Sequence, residues 1–182
     1  QPDGSGLLDG TPDLYDIAFT LFAIAESANA LGGTGETRAS AGALLDAVDR
    51  QMRDRLNGGY AEVLPRPGIR EQNPHMHLLE ACLSLHKVDP DGGHIARAAE
   101  LIALFESRLT AGPDGLLGER FAADWSIPTG RDADIVEPGH QFEWVWLLHA
   151  YANASGTPVL PAAARLYEFA CATLDEAGRA CV

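Results

Sequence analysis

The sequence predicts an all-α protein whose helices form an arc of an α/α toroid. Three strongly apolar segments, with polar residues mainly near their starts, alternate with three segments that have one apolar and one charged face. A breaker-rich loop precedes each apolar segment, and the pattern returns roughly every 60 residues. In such an arc the apolar helices line the inside and the amphipathic helices cover the outside.

The first helical hairpin is predicted between Asp13 and Asn57. Asp13 is a suitable cap for a helix over 14–31, which is apolar around most of its circumference. Tyr15 lies at the start of this helix, where its polar tip is expected to face a pocket. After the Gly32–Gly33 break, an amphipathic helix is expected to end at Asn57 and the two glycines that follow it.

The second hairpin is predicted to start at Asn73, read as the N-cap, with Pro74 in the first helical position. Asn73, His77 and Glu80 share one face of this mostly apolar helix. An outer helix is expected over 91–110. A short strand pair is predicted around 116–121, within an irregular stretch that runs from 112 to 137.

The third inner helix is predicted to begin after Glu137 and to run to about residue 154, with an outer helix over 161–176. His140 lies in its first turn, where the positive end of the helix dipole favours a neutral imidazole. Glu143 and Trp144 follow on the same face, three and four residues later. This grouping is either a reaction site or an ordinary first turn with a satisfied histidine.

Composition limits the classes of partner. A length of 182 residues suits one domain, and a net charge of −13 argues against nucleic acid or an anionic membrane surface as a partner. The sequence shows no apolar run that we expect to span a membrane. Three scattered cysteines indicate reduced thiols, which favours a cytoplasmic location.

Three kinds of chemistry fit the polar residues. His75 and His77 point about 200° apart on a helix, so we expect no metal site there. A glycosidase carboxylate pair drawn from Asp124, Glu137 and Glu143 is an alternative. Histidine acid/base chemistry at a carbon next to a carbonyl is the third possibility, with His77 and His140 facing one pocket.

Two long motifs carry a family resemblance. NPHMHLLEA at 73–81 and EPGHQFEW at 137–144 resemble the N-acylglucosamine 2-epimerase superfamily, and their wording is closest to its mannose isomerase-like branch. LYDIAF at 14–19 and GGYAE at 58–62 are similar to further family segments in the same order. The resemblance implies an (α/α)6-barrel, of which residues 1–182 would form one partial domain of about six helices in three αα-hairpins with short β-hairpin loops.

The same resemblance implies metal-independent proton transfer at C2 of a sugar, with no cofactor. It implies catalytic roles for His140, His77 and Glu143, and it implies substrate contacts through Tyr15, Asn73, Arg131 and Trp144. Aldose–ketose isomerisation of a mannose-type sugar is the main expectation. The alternatives are 2-epimerisation of N-acetylglucosamine or cellobiose-type sugars, an α/α-toroid glycoside hydrolase, and a carbohydrate-binding remnant without catalysis.

One departure from the family pattern qualifies these expectations. The family carries an arginine on an earlier helix and a second catalytic histidine on a late helix, and neither has a matching position here. We therefore expect the isolated chain to be a poor catalyst. Its exposed inner faces also favour association, and a homo-oligomer is one possible outcome.

Overall fold

Six α-helices form three successive pairs in the computed structural model, which describes residues 10–33, 35–65, 68–110 and 115–174. The helices are α1 (Leu14–Leu31), α2 (Gly35–Gln51), α3 (Asn73–Val88), α4 (His94–Leu104), α5 (Pro138–Ser155) and α6 (Ala162–Ala172). The inner helix α3 packs against α1 on one side and α5 on the other. The outer helices α2, α4 and α6 pack against α1, α3 and α5 in turn. The predicted all-α arc of three hairpins is confirmed.

The contact between α1 and α3 forms much of the core. Leu14, Ala18, Leu21 and Ala25 recur at helical spacing on α1 and are fully buried. The two alanines allow close packing, since they place little side-chain volume between the helix axes. The start of α1 agrees with prediction, because Asp13 Oδ1 accepts from the amide of Tyr15 at 2.8 Å.

Two predicted helix boundaries are wrong. Helix α2 ends at Gln51 and not at Asn57, because the Asp54 carboxylate accepts from the Asn57 amide and closes a turn. The backbone of Arg53 then pairs with that of Tyr60, as in a hairpin. Asn73 is the first residue of α3 and is not its N-cap, a position that Gln72 takes without a side-chain capping bond.

The outer helix predicted over 91–110 begins later, at His94, and ends in a different geometry. Its last turn, Phe105–Leu109, is π-helical. Phe105 and Leu109, at the two ends of this turn, are both fully buried in the core. The final helix ends at Ala172 within the described residues, and positions 175 and 176 of the predicted helix lie outside them.

Two short strands join loops that are distant in sequence. Strand β1 (Ile69–Glu71) pairs antiparallel with β2 (Arg120–Ala122), with Arg70 opposite Phe121. The pairing extends one residue further, since the Gln72 amide donates to the Glu119 carbonyl at 3.2 Å. These strands therefore connect two loops and do not form the local hairpin expected around 116–121.

Helix α1 is 18 residues long and apolar enough to cross a membrane by length and composition alone. The expectation that no such stretch occurs is therefore wrong by this measure. However, one side of α1 packs on α3 within the protein, as the core helix of a globular domain does.

Candidate active site

His140 lies in the first turn of α5 beside a buried carboxylate. Its Nδ1 is 2.9 Å from Glu119 Oε2, and the Glu119 side chain is only 9% exposed. Glu119 immediately precedes β2, so the strand pairing places its carboxylate against the helix start. The His140 side chain is 25% exposed, which leaves part of the imidazole accessible from outside.

A fully buried glutamine lies behind this pair. Gln72 Oε1 accepts from Trp144 Nε1 at 2.7 Å. Gln72 Nε2 donates to Glu119 Oε2 at 3.0 Å and lies 3.1 Å from His140 Nδ1. Residues from the α3, β2 and α5 regions are thereby joined in one network behind the imidazole.

The carboxylates around His140 favour its protonated form. The hydrogen bond to Glu119 is the main cause that raises the pKa of His140 above its usual value. Burial acts in the opposite direction, while the charges of Glu143 and Glu137 add smaller upward contributions. The imidazole therefore titrates at a higher pH than an isolated histidine.

His140 opens on a cavity of about 270 Å³. The other lining residues are Glu71, Asn73, Glu119, Arg120, Ile135 and Glu137. Asn73 Oδ1 is buried and has no hydrogen-bond partner within the described part of the chain. A buried acceptor without a partner is unfavourable, and a hydroxyl group bound in the cavity would relieve that cost.

His77 lies one helical turn after Asn73 on α3, in an aromatic surrounding. Its ring centroid is 4.5 Å from that of Phe19 and 5.2 Å from that of Tyr15, with the tyrosine edge-on. Its Nδ1 is 3.2 Å from Glu80 Oε2. Tyr15 and Phe19 are each more than a third exposed, so this cluster presents both aromatic rings on an open face of α1.

The structure separates the residues expected to act together at the start of α5. Glu143 is exposed, and within the described residues no hydrogen bond joins it to His140, whose carboxylate partner is Glu119. Trp144 is fully buried and stacks on Phe105, with ring centroids 4.4 Å apart. The expectation that Trp144 contacts a sugar therefore disagrees with its position in the core.

The arginine at the cavity also differs from the expected one. Arg131 lies exposed in a 3-10 turn, Gly130–Asp134, and does not line the cavity. Arg120 of β2 lines it instead, with Nη1 2.9 Å from Asp132 Oδ1 and Nε 3.5 Å from Glu71 Oε1. Both bonds restrict the orientation of the Arg120 guanidinium.

Sequence reasoning missed Glu119 and Gln72 as site residues. Glu119 is the one acidic residue in the otherwise largely apolar segment 116–121, where a strand was predicted. That position was the available signal, because a carboxylate in such a segment needs a buried partner. Gln72 gives no comparable signal, since its role depends on partners 47 and 72 residues away.

Two other candidate chemistries use residues that have structural partners. His75 is fully buried, and it accepts from the Tyr60 amide through Nε2 at 3.0 Å while Nδ1 lies 3.0 Å from the Glu71 carbonyl. Asp124 is bound to Ser126 in an exposed turn away from the cavity. Among the described residues, no group of three or more His, Cys, Asp or Glu side chains is arranged to hold a metal ion.

Comparisons with known proteins place this chain in a family. The model of the N-acylglucosamine 2-epimerase (GlcNAc 2-epimerase) family matches residues 1–179. A mannose-6-phosphate isomerase of Rhizobium meliloti is 38% identical over 89% of this chain, and a cellobiose 2-epimerase of Bacteroides fragilis is 27% identical over 82%. The chain spans only 43% and 41% of these two relatives.

Solved structures agree with this assignment. A cellobiose 2-epimerase from Spirochaeta thermophila matches 98% of this chain and 48% of its own, with a TM-score of 0.82 and 28% identity. A D-mannose isomerase shares the fold over 93% of this chain and 47% of its own, with a TM-score of 0.84 and 22% identity. The arc of three helical hairpins is therefore part of an (α/α)6-barrel, and the chain belongs to the N-acylglucosamine 2-epimerase family.

Proposed function

We propose that the full-length protein is a carbohydrate isomerase that moves a proton at C2 of a sugar through an enediolate, without a metal or other cofactor. The main reaction in this proposal is aldose–ketose isomerisation of a mannose-type sugar. The observation that supports it most directly is the partly exposed imidazole of His140, hydrogen-bonded to Glu119 and open to a cavity that Asn73 also lines.

The chemistry requires a base near C2 of the open-chain sugar. The C1 carbonyl acidifies the C2 hydrogen, and neutral His140 removes that proton to form an enediolate with negative charge on O1. Return of the proton to C1, with transfer of the O2 hydroxyl proton to O1, gives the ketose. Return of a proton to the opposite face of C2 gives the epimer.

The remaining roles follow from the positions of the other side chains. Asn73 would bind a sugar hydroxyl through its buried Oδ1, and His77 would act one turn further along α3, near the reacting carbons. Tyr15 offers a partly exposed ring beside His77. Glu143 would contribute negative charge near His140, and Arg131 stays a predicted outer contact.

The names of the relatives and the charge of the cavity support the choice of sugar. The relative with the higher identity to this chain is the mannose-6-phosphate isomerase, which favours isomerisation over 2-epimerisation. In this chain Glu71, Glu119 and Glu137 line the cavity, against one arginine that is already bound to carboxylates. A phosphate dianion would be repelled there, so we propose the unphosphorylated sugar as substrate.

The reaction belongs to the full-length protein. The chain spans less than half of each relative, and a second acid/base group and the rest of the barrel wall are expected from outside it. We therefore propose that residues 1–182 form part of one larger domain with a cytoplasmic location. The isolated chain is expected to show little turnover, with self-association through its open inner face as a further possibility.

Isotope exchange in deuterated water tests the reaction. The full-length protein would be incubated with mannose, mannose 6-phosphate, fructose, glucose, N-acetylglucosamine and cellobiose, and the sugars examined by NMR. Deuterium at C1 of fructose formed from mannose supports isomerisation, whereas deuterium at C2 of an epimer supports the 2-epimerase alternative. Absence of label in every sugar would refute the proton-transfer proposal.

Two histidines on α5 provide a matched comparison. His140→Gln should reduce exchange at least about 100-fold, because it removes the proposed base. His149→Gln should keep wild-type exchange, since His149 is exposed two turns further along the helix and does not line this cavity. Equal losses in both variants would contradict the role of His140.

A further inference from the structure

The two inner partners of His140 are both removed from solvent. Glu119 is 8% exposed as a residue, and Gln72 is completely buried. Glu119 Oε1 also lies 3.4 Å from the Glu137 amide, which holds the carboxylate from its other side. A carboxylate that accepts from several fixed hydrogen-bond donors has a fixed orientation.

The orientation of the Gln72 amide follows from its partner on α5. The indole N–H of Trp144 only donates, so the Gln72 atom 2.7 Å away must be the oxygen. The amide nitrogen therefore points in the other direction, toward Glu119 Oε2 and His140 Nδ1. Because this nitrogen only donates, it supplies a hydrogen bond to the Glu119 carboxylate and helps to fix its orientation.

Donor and acceptor roles can be assigned in the same way for the imidazole of His140. Ionised Glu119 accepts hydrogen bonds and has none to give, so its 2.9 Å contact with His140 Nδ1 requires a proton on that nitrogen. In the neutral ring the other nitrogen, Nε2, then carries the lone pair. Within the described residues Nε2 has no hydrogen-bond partner, which leaves it available to a ligand in the cavity.

We infer that Glu119, held by Gln72, is a positioning residue that keeps the neutral imidazole of His140 protonated on Nδ1 and thereby reserves Nε2 for proton transfer. The last part of this inference rests on the proposed function. The first part concerns the imidazole alone and is testable without any sugar. A hydrogen bond donated by the ring nitrogen that does not face the ligand is a general means of fixing the tautomer of a histidine.

The charged groups around the ring define the expected titration. Glu119 is the hydrogen-bonded carboxylate, Glu137 and Glu143 flank the imidazole on α5, and Glu71 and Arg120 line the cavity from the paired strands. Removing Glu119 takes away both a charge and the acceptor for Nδ1–H. Removing Glu137 takes away a charge from the same cavity but leaves that acceptor in place.

Nitrogen NMR of the imidazole in the full-length protein tests the inference. In the wild type, the neutral His140 ring should carry its proton on Nδ1. In Glu119→Met, which has a similar length but offers no oxygen acceptor, the pKa of His140 should fall by about one pH unit, and the neutral ring should shift toward the Nε2–H form because the Gln72 amide can then donate to Nδ1. In the charge control Glu137→Gln, the Nδ1–H form should persist.

Two results would overturn the inference. One is a wild-type ring whose neutral form is protonated on Nε2, which would mean that Gln72 donates to Nδ1. The other is an unchanged tautomer and pKa of His140 in Glu119→Met. Should that variant fail to fold, Glu119→Asp provides the second measurement, since it keeps the charge but shortens the side chain. A mixture of the two neutral tautomers of His140 is then expected. A ring that carries its proton on Nδ1 alone would count against the inference.

Kinetics of the same variants link the tautomer to turnover. Glu119→Met should lower kcat about 100-fold with KM within about threefold, and the acidic limb of its pH profile should move to lower pH. A loss caused by altered structure alone would not move this limb. If the wild type exchanges no sugar proton the proposed function fails, yet the NMR result still decides the role of Glu119.

Discussion

Buried His75 provides a quantitative test of how burial controls stability. Its Nε2 accepts from the Tyr60 amide, and its Nδ1–H donates to the Glu71 carbonyl. Burial, with a further contribution from the nearby charge of Arg70, lowers the pKa of His75 from its usual 6.5 to about 3. Replacement by glutamine, which still offers an oxygen to the Tyr60 amide, removes the titrating group.

The magnitude follows from the difference between the two pKa values. The unfolded chain takes up a proton at His75 below pH 6.5, whereas the folded protein does so only near pH 3, so acid favours unfolding in this window. Within this window, each pH unit of acidification lowers the free energy of unfolding by about 1.4 kcal/mol. Stability from this group is fully present above pH 6.5, and about 2 kcal/mol of it is lost between pH 6.5 and pH 5.

Urea unfolding of the full-length protein at pH 7.5, 6, 5.5 and 5 measures this effect. Other groups titrate equally in both proteins, so the difference between wild type and His75→Gln isolates His75. The wild type should lose about 2 kcal/mol more than the variant between pH 7.5 and pH 5. If the free energy of unfolding fell equally with pH in the two proteins, the argument would be refuted, even where the substitution itself lowers stability by the same amount at every pH.

Three further predictions concern packing and binding. Arg70→Met should lower the free energy of unfolding by about 3–5 kcal/mol in urea, because it removes the buried guanidinium that binds two buried carboxylates, Asp54 and Glu62. A loss below about 1 kcal/mol would contradict this. Trp144→Phe keeps an aromatic ring in the core but removes the hydrogen-bond donor to Gln72. It should lower the free energy of unfolding by about 1–2 kcal/mol in the same assay, and an unchanged urea midpoint would contradict this. Asn73→Ala should raise KM for the sugar about tenfold with little change in stability, as measured by steady-state kinetics and urea unfolding; an unaltered KM would exclude a substrate contact.

Local sequence signals explain which helix boundaries were predictable. Asp13 caps α1 through its own side chain, and Pro138 starts α5, so both boundaries follow from residues next to them. The early end of α2 does not, because its turn is held by Asp54, whose carboxylate is bound by Arg70 from a later loop. The π-helical turn after α4 likewise depends on tertiary packing of Phe105.

The site residues also fall into those that local sequence could predict and those that depend on tertiary contacts. The breakers before His140 placed it in a helix start from local sequence alone, and the spacing on α3 put Asn73 and His77 on one face. The partner of His140 was expected to be Glu143, three residues away on the same face of the helix, but the Glu143 side chain is exposed and the bonded carboxylate is that of Glu119. Glu119 reaches the imidazole only through strand pairing, which no local pattern specifies.

Because the short ladder between β1 and β2 positions the partners of His140, the imidazole is oriented only when two segments that are distant in sequence have paired. Gln72 and Glu119 lie one residue beyond the ladder on either strand and are 47 residues apart. Contacts of such separation close late, because the intervening chain must first be ordered. A ladder of three residues also opens more readily than the helices around it. Amide hydrogen exchange in β1 and β2 should therefore report the fraction of molecules with an aligned imidazole, and mild denaturant should reduce turnover before it reduces helix content.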